Sequence, residues 1–361
     1  IHQSDANSSD ISFDVELIGM THAEAAVQTT GPLFFSSPTR LMARARRNGE
    51  WSALQEALFL PDAVPAAAGN LVVSQFCYRP PEPTLAAEVA VSTDRDDFEF
   101  LELLNIGPAP LDMAGVQVTG GIAYAFPAGQ YLDPGQRTLL VRSQAAFHAR
   151  YGSESSVEGE YQGRLANDTD SILLRDATGT TILAFTYTDR SPWPGSPNQG
   201  FALVLQHPSR NPDPNEPLHW RSSVATGGTP GHSDASRFLG VADADANGNG
   251  QADLFDYAFG ASLLSSDTGI EVGVEEVVTA TGTHSHLTLS HPRNLAADDA
   301  PVVLETAEHI AGPWRAATGR VVLVEENRLD GGLARLTFRL AEPMAADSRA
   351  FLRLTVDFKT R

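Results

Sequence analysis

The sequence predicts an all-β protein built from β-sandwiches, and three observations carry that reading. Short apolar runs recur at strand length along most of the chain, each bounded by Gly, Pro, Asn or Asp. Turn formers are abundant, with 30 glycines and 23 prolines in 361 residues. Between residues 71 and 234 only AAFHARYG, at 145–152, has clear helical spacing. At this length the chain has room for two or three domains with real cores.

From the N-terminus, Leu41, Ala43 and Ala45 alternate with Met42, Arg44 and Arg46, and Asn48-Gly49 follows as a hairpin signal. Residues 27–60 therefore read as closing β-strands. The stretch TTGPLFFSSPTRLMARARRNGEW resembles the end of a fibronectin-like or chitobiase C-terminal β domain, which assigns 1–63 to a partial domain of that kind. PDAVPAAAGN is rich in Pro, Ala and Gly, so 64–70 reads as a linker.

Strand-length runs then follow in order: LVVSQF, FEFLELLN, GVQV, AYAFP, TLLVR, SILLRD, ILAFTY and FALVLQ. Several longer pieces stand among them in a set order: EFLELLN at 99–105, LDMAGVQV at 111–118, RLANDTDSILLRDATGTTI, DRSPWPGSPNQGFALVL and HWRSSVATGGTPG. In that order residues 71–234 resemble a lamin-tail domain of the bacterial type. The resemblance implies an immunoglobulin-like sandwich and an adhesive or scaffolding habit, with no shared catalytic residues to carry over.

Between Asp245 and Asp256 the chain reads DANGNGQADLFD. Oxygen-bearing side chains stand at the first, third, fifth, ninth and twelfth positions of this loop, and Gly250 at the sixth. Ca²⁺ takes roughly six to eight oxygen ligands, and a loop this tight wraps it only if the chain turns sharply at the sixth residue. The expected ligands are the side chains of Asp245, Asn247 and Asn249, the carbonyl of Gln251, Asp253 directly or through water, and Asp256. Ending on Asp rather than a bidentate Glu predicts a weaker site. From Phe238 to Pro292 there are eight acidic residues and no Lys or Arg, so the local field favours a cation. Leu254, Phe255, Ala258 and Phe259 then recur at helical spacing, with Gly260 as the cap. The loop resembles the thrombospondin type 3 and dockerin families. Dockerins carry two copies and one stands here, so cohesin binding is not expected.

After a calcium loop and short helix at 235–262, strand patterns resume at HLTLSH, PVVLET, GRVVLVEE, ARLTFRL and AFLRLTV, which makes 263–361 a C-terminal β-sandwich. DLFDYAFG with VVLETAEHIAGPWRAAT resembles the sandwich that follows single calcium loops in large secreted bacterial proteins. In those proteins it accompanies lamin-tail domains and kinase-like modules related to spore coat protein H. No kinase signature occurs in this chain. The fold class is thus all-β, immunoglobulin-like β-sandwiches joined by a calcium loop and short helix, with the loop expected to act as a hinge.

Composition excludes several functions. A net charge of −20 argues against nucleic acid or an anionic membrane as partner. No apolar run approaches a membrane span. The opening residues IHQSDANSSD lack the basic-then-apolar order of a signal peptide, so the chain reads as a mature product or the C-terminal piece of a longer one. Cys77 is the single cysteine, expected as a buried thiol, so no intrachain disulfide forms.

Motifs of catalysis are missing: no GxSxG, HExxH, GxxxxGK or GxGxxG occurs. Glu99 and Glu102 lie three apart on a strand and point to opposite faces, so they read as structural carboxylates bonding loop amides. His284 and His286 share a strand face with Thr288 and Ser290 and are expected to be exposed, without an identifiable third metal ligand. Trp193, Trp220 and Trp314 are expected to pack in cores or loops rather than to stack sugars.

The function expected is therefore non-catalytic: a secreted or cell-surface adhesion or scaffolding protein with one structural Ca²⁺. Its partner would be a protein or polysaccharide at the cell surface. The alternative is an accessory carbohydrate- or surface-binding region of a larger enzyme, kinase-like or hydrolase, whose catalytic domain lies upstream.

Overall fold

The computed structural model describes residues 12–18, 27–28, 39–47, 50–53, 55–60, 62–260, 269–280, 282–344 and 351–356. Within the first of these ranges, Ser12–Ile18 pairs along its length with Thr39–Arg47 in an antiparallel five-stranded sheet. Thr39–Arg47 also pairs with Glu50–Trp51, Arg47 opposite Glu50, and with Gln55–Phe59. The Asn48-Gly49 signal itself lies outside the described residues, as does much of 1–63.

The next unit is a sandwich. Its larger sheet runs Val157–Glu160, Arg137–Val141, Phe100–Asn105, Leu71–Cys77, Phe201–Leu205, Trp220–Thr226. Facing it are five strands in the order Gln162–Gly163, Ile122–Ala125, Gln117–Gly120, Thr169–Arg175, Thr181–Thr188. The alternation read from the sequence explains the pairing: Phe76, Leu101, Leu103 and Leu140 from the first sheet meet Val118, Ile172, Leu174 and Phe185 from the second in one core. Trp193 and Trp220 belong to that core, 6.0 Å apart between ring centroids, so both pack internally as the sequence predicts.

The outer face of the larger sheet is also apolar over half its width. Cys77, Phe100, Leu139, Val141 and Ala202 are covered there by Phe147 of the Gln144–Tyr151 helix. That helix has a stereochemical reason to exist, because Arg137–Val141 and Val157–Glu160 run parallel and a parallel pair needs a crossover connection. Ser143 caps it, accepting a hydrogen bond from the Ala146 amide at 3.3 Å. A second helical turn that the sequence reading did not include, Ala86–Val89, packs beside it through Glu88 and Arg150, 2.7 Å apart.

Residues 64–70 differ from a free linker. Val64–Pro65 forms a short parallel pairing with Leu111–Asp112, and Ala66 is buried in the core. Small, apolar Pro/Ala-rich chain can lie flat on a sheet edge as easily as it can hang in solvent, and composition does not separate the two.

The C-terminal unit has a four-stranded sheet, Glu271–Thr279, Gly282–Asn294, Leu333–Leu340, Val321–Arg328, and a three-stranded one, Arg315–Ala316, Val302–Ala307, Phe351–Val356. The Asp253–Phe259 helix buries Leu254, Ala258 and Phe259 against Ala300, Val302, Leu354 and Val356. The expectation of a hinge is corrected here: the helix following the loop is part of the C-terminal core, because its apolar face finds cover on those strands. Gly260 closes the helix at φ 75°, and any Cβ there would stand 2.1 Å from Leu333 Cδ2.

Candidate functional site

Within twelve residues, hydrogen bonds join four of the predicted loop ligands, Asp245, Asn247, Asn249 and Asp256. Gly250 takes φ 86°, the left-handed turn expected at the sixth position. Asp245 then accepts hydrogen bonds from the amides of Asn249 and Gly250 at 3.0 and 2.9 Å. Asn247 Oδ1 accepts from the Asn249 amide, Asn249 Oδ1 from the Gln251 amide, and Asp253 Oδ1 from the Ala246 amide. Asp256 is buried at the start of the helix, where its carboxylate receives the side-chain amides of Asn247 at 2.6 Å and Asn249 at 3.1 Å. Three carboxylates and two amide carbonyls stand within these twelve residues, oxygen donors of the kind a hard cation takes, but the three carboxylates do not converge. Among the described residues no cluster of three or more His, Cys, Asp or Glu side chains is arranged to hold a metal. The side-chain amides of Asn247 and Asn249 both donate to the Asp256 carboxylate.

The two glutamates of FEFLELLN lie on opposite faces, as their spacing requires, and both are spent on structure. Glu99 accepts hydrogen bonds from Tyr161 Oη at 3.0 Å and the Leu165 amide at 2.9 Å, while its Oε1 is buried without a partner. Burial pushes its carboxyl up to about 8, against those two hydrogen bonds. Glu102 accepts from Ser74 Oγ at 2.6 Å, Arg137 Nε at 3.1 Å and the Gly231 amide at 2.6 Å. Two saturated or sealed carboxyls on opposite faces cannot flank one scissile bond.

His286 corrects the sequence reading. It is buried, not exposed, with Nδ1 2.8 Å from the Leu340 carbonyl, because its strand runs between two others and both faces are partly covered. His284 is half-buried. Trp314 lies under the Arg353 guanidinium, 4.5 Å from its ring centroid. Cys77 is fully buried and its thiol is pushed up to about 12, first by burial and then by the Glu99 charge, so it is an inert core residue.

What sequence reasoning missed is the joint between the sandwiches. Arg221, 3 % exposed, donates Nε and Nη2 to Asp298 at 2.8 Å each, and Nη1 and Nη2 to Asp234. Burial works against its charge, but the Asp298 and Asp234 carboxylates outweigh that and raise its proton affinity. Around this fork, Ser222 donates to Glu326 at 3.0 Å, Arg293 to Gln206, Arg328 to the Val224 carbonyl at 2.8 Å and Ser191 to the Leu323 carbonyl at 2.6 Å. Leu218 and Val224 pack on Leu295, Leu323 and Leu336 beside it. Polar links across 77 to 132 residues of chain leave no periodic signal.

Residues 64–189 match the Lamin Tail Domain family, an immunoglobulin-like fold. No curated protein matches the sequence. Among solved structures, a DUF4876 family protein from Bacteroides thetaiotaomicron is similar at 10 % identity and TM-score 0.23, over 48 % of this chain and 64 % of that one. An exo-chitosanase of Amycolatopsis orientalis is similar at 12 % identity and TM-score 0.16, over 73 % of this chain and 24 % of the enzyme. Among the described residues no helix is long and apolar enough to cross a membrane.

Proposed function

We propose that this chain is a non-catalytic scaffold of the cell exterior, in which two β-sandwiches act as one stiff body and present their surfaces to a protein or polysaccharide. The observation that carries the reading is the Arg221 fork. A guanidinium shared between Asp234 of the connecting segment and Asp298 of the C-terminal sandwich fixes register as well as distance, since each carboxylate must be met at a set angle. Such a joint transmits load without bending. The commitment of Glu99 and Glu102 to structural bonds, and the sealing of Cys77, support the absence of catalysis by the residues the sequence singled out.

A single Ca²⁺ belongs to this proposal. Asp245, Asn247, Asn249, Gln251, Asp253 and Asp256 would hold it, and when bound it would neutralise three carboxylates of the loop. The chain's own part is to pin that loop: Asp253 opens the helix and Phe259 anchors it on Ala300. Loop order would then reach the C-terminal core directly.

The test is differential scanning calorimetry of the full chain. A single cooperative transition for residues beyond the N-terminal sheet is expected, with calorimetric and van't Hoff enthalpies in agreement. Two separate transitions for the sandwiches would overturn the stiff-body reading.

A further inference from the structure

The other half of the larger sheet's outer face, beyond the Gln144–Tyr151 helix, is not covered by a helix. It forms the floor of a cleft of about 750 Å³ whose far wall is the segment 232–238 and the Asp298-Asp299 turn. That volume suits a ligand of disaccharide size or larger. Leu104, Ile106, Val204 and Phe238 give it an apolar floor and side.

Its polar atoms are unevenly used. Every carboxylate oxygen on the wall already accepts a hydrogen bond. Glu102 takes Ser74, Arg137 and the Gly231 amide. Asp234 and Asp298 take the Arg221 fork, and Asp234 the Val224 amide as well. Asp299 takes the Phe238 amide at 2.7 Å and Tyr257 Oη at 2.8 Å. The donors are in the opposite condition. Arg210 and Arg237 line the cleft, and their guanidinium groups make no hydrogen bond or ion pair with the described residues. Arg137 uses only Nε, and neither ring nitrogen of His207 is bonded. Gln75, 2 % exposed on the inner wall, has an Nε2 with no partner. The wall's carboxylates are thus engaged by the protein's own donors while two guanidinium groups are left over, in a chain whose net charge is −20.

We propose that this cleft is a binding site for an acidic saccharide, which lays a sugar face on the apolar floor and presents a carboxylate or sulfate to Arg210 and Arg237. A neutral sugar would leave both guanidinium charges without a counter-ion. An oxyanion brings acceptors alone, and guanidinium meets it in a planar, two-pronged fashion. The site rests on the stiff-body reading, since Asp234 and Asp298 of the Arg221 fork line its far wall.

Titration calorimetry of the full chain tests it with three probes: digalacturonate, its methyl ester, and a sulfated chondroitin disaccharide. Binding of digalacturonate or of the sulfated disaccharide is expected, the tighter of the two identifying the oxyanion. The ester should bind at least about 10-fold more weakly than the free acid, as charged hydrogen bonds are lost. Arg210→Gln and Arg237→Gln should each weaken the acid by about 10-fold or more, at unchanged melting temperature because both side chains are exposed. Arg95→Gln, whose ion pairs are with Glu82 and Asp96, should leave it unaltered. Equal affinity for acid and ester, full affinity in both glutamine variants, or no heat from either acidic probe at 10-millimolar order would overturn the proposal.

Discussion

Arg221→Met offers the sharpest perturbation of the joint. The substitution deletes five hydrogen bonds and leaves two carboxylates facing each other, Asp234 with a side chain 2 % exposed and Asp298 at 12 %. Removing one partner of a buried ionic group costs about 3–5 kcal/mol, chiefly through the charges left behind. Since ~1 kcal/mol moves the midpoint of a protein of this size by roughly 2–4 °C, a fall of roughly 6–20 °C is expected. In a Trp51→Phe, Trp314→Phe background, urea melts followed by tryptophan fluorescence and circular dichroism should also separate, because Trp193 and Trp220 then report the first sandwich while ellipticity reports both. Combining Arg221→Met with Asp234→Asn and Asp298→Leu removes the stranded charges and should recover most of the loss. Glu82→Ala, whose side chain is 66 % exposed, sets the scale for a surface pair at less than about 1 kcal/mol. If Arg221→Met costs no more than Glu82→Ala, or the triple variant is as weak as the single, the fork does not hold the sandwiches together.

Three further outcomes are expected. Calcium titration should give one site with a dissociation constant on the order of 10⁻⁴ to 10⁻³ M; Asp245→Ala should abolish it and His284→Ala leave it intact, and an absence of heat would remove the site. Phe259→Ala, 5 % exposed, should destabilise the C-terminal sandwich by about 3–5 kcal/mol, whereas a helix merely linking domains would give a change too small to resolve. Burial raises the Glu99 carboxyl in the folded state to about 8 from its ordinary 4.5, so its contribution is fully present below the lower value and is lost as pH rises through the upper one. Glu99→Gln should therefore flatten the stability profile between those limits, and an unchanged slope in urea melts would contradict the burial argument.

The parts of this molecule that sequence made readable are those whose physics is local. A strand with one face in a core alternates every second residue, so Thr181–Thr188 and Thr169–Arg175 could be placed from their side chains alone. The left-handed turn at Gly250 was readable because glycine and its flanking Asx residues signal it within a few residues of chain. Glu271–Thr279 was missed. Gly273 and the adjacent Val277-Val278 break its alternation, and as the outer strand of its sheet it carries Val272 and Val278 in solvent, so burial imposes no pattern. His286 was misplaced because its face was judged from Thr288 and Ser290, while the Leu340 carbonyl that receives it comes from another strand. The Arg221 fork and the cleft were illegible altogether. Each gathers groups from distant segments, and a charge pair or a cavity wall has no periodicity to betray it.

The family-matched segment stops at residue 189, yet Leu71–Cys77 is hydrogen-bonded on its far side to Phe201–Leu205, and that strand to Trp220–Thr226. The heritable piece and the foldable piece are therefore of different length. A gene-shuffling event that broke the chain near 189 would carry away a sheet with a raw central edge, and one that broke it near 226 would strand Arg221 without either carboxylate. Only a cut that keeps Asp234 and finds a substitute for Asp298 yields a module fit to travel. Recombination should thus leave this sandwich either joined to its present neighbour or rewritten at position 221, and the identity of that one residue in related chains would mark which of them still carry the C-terminal partner.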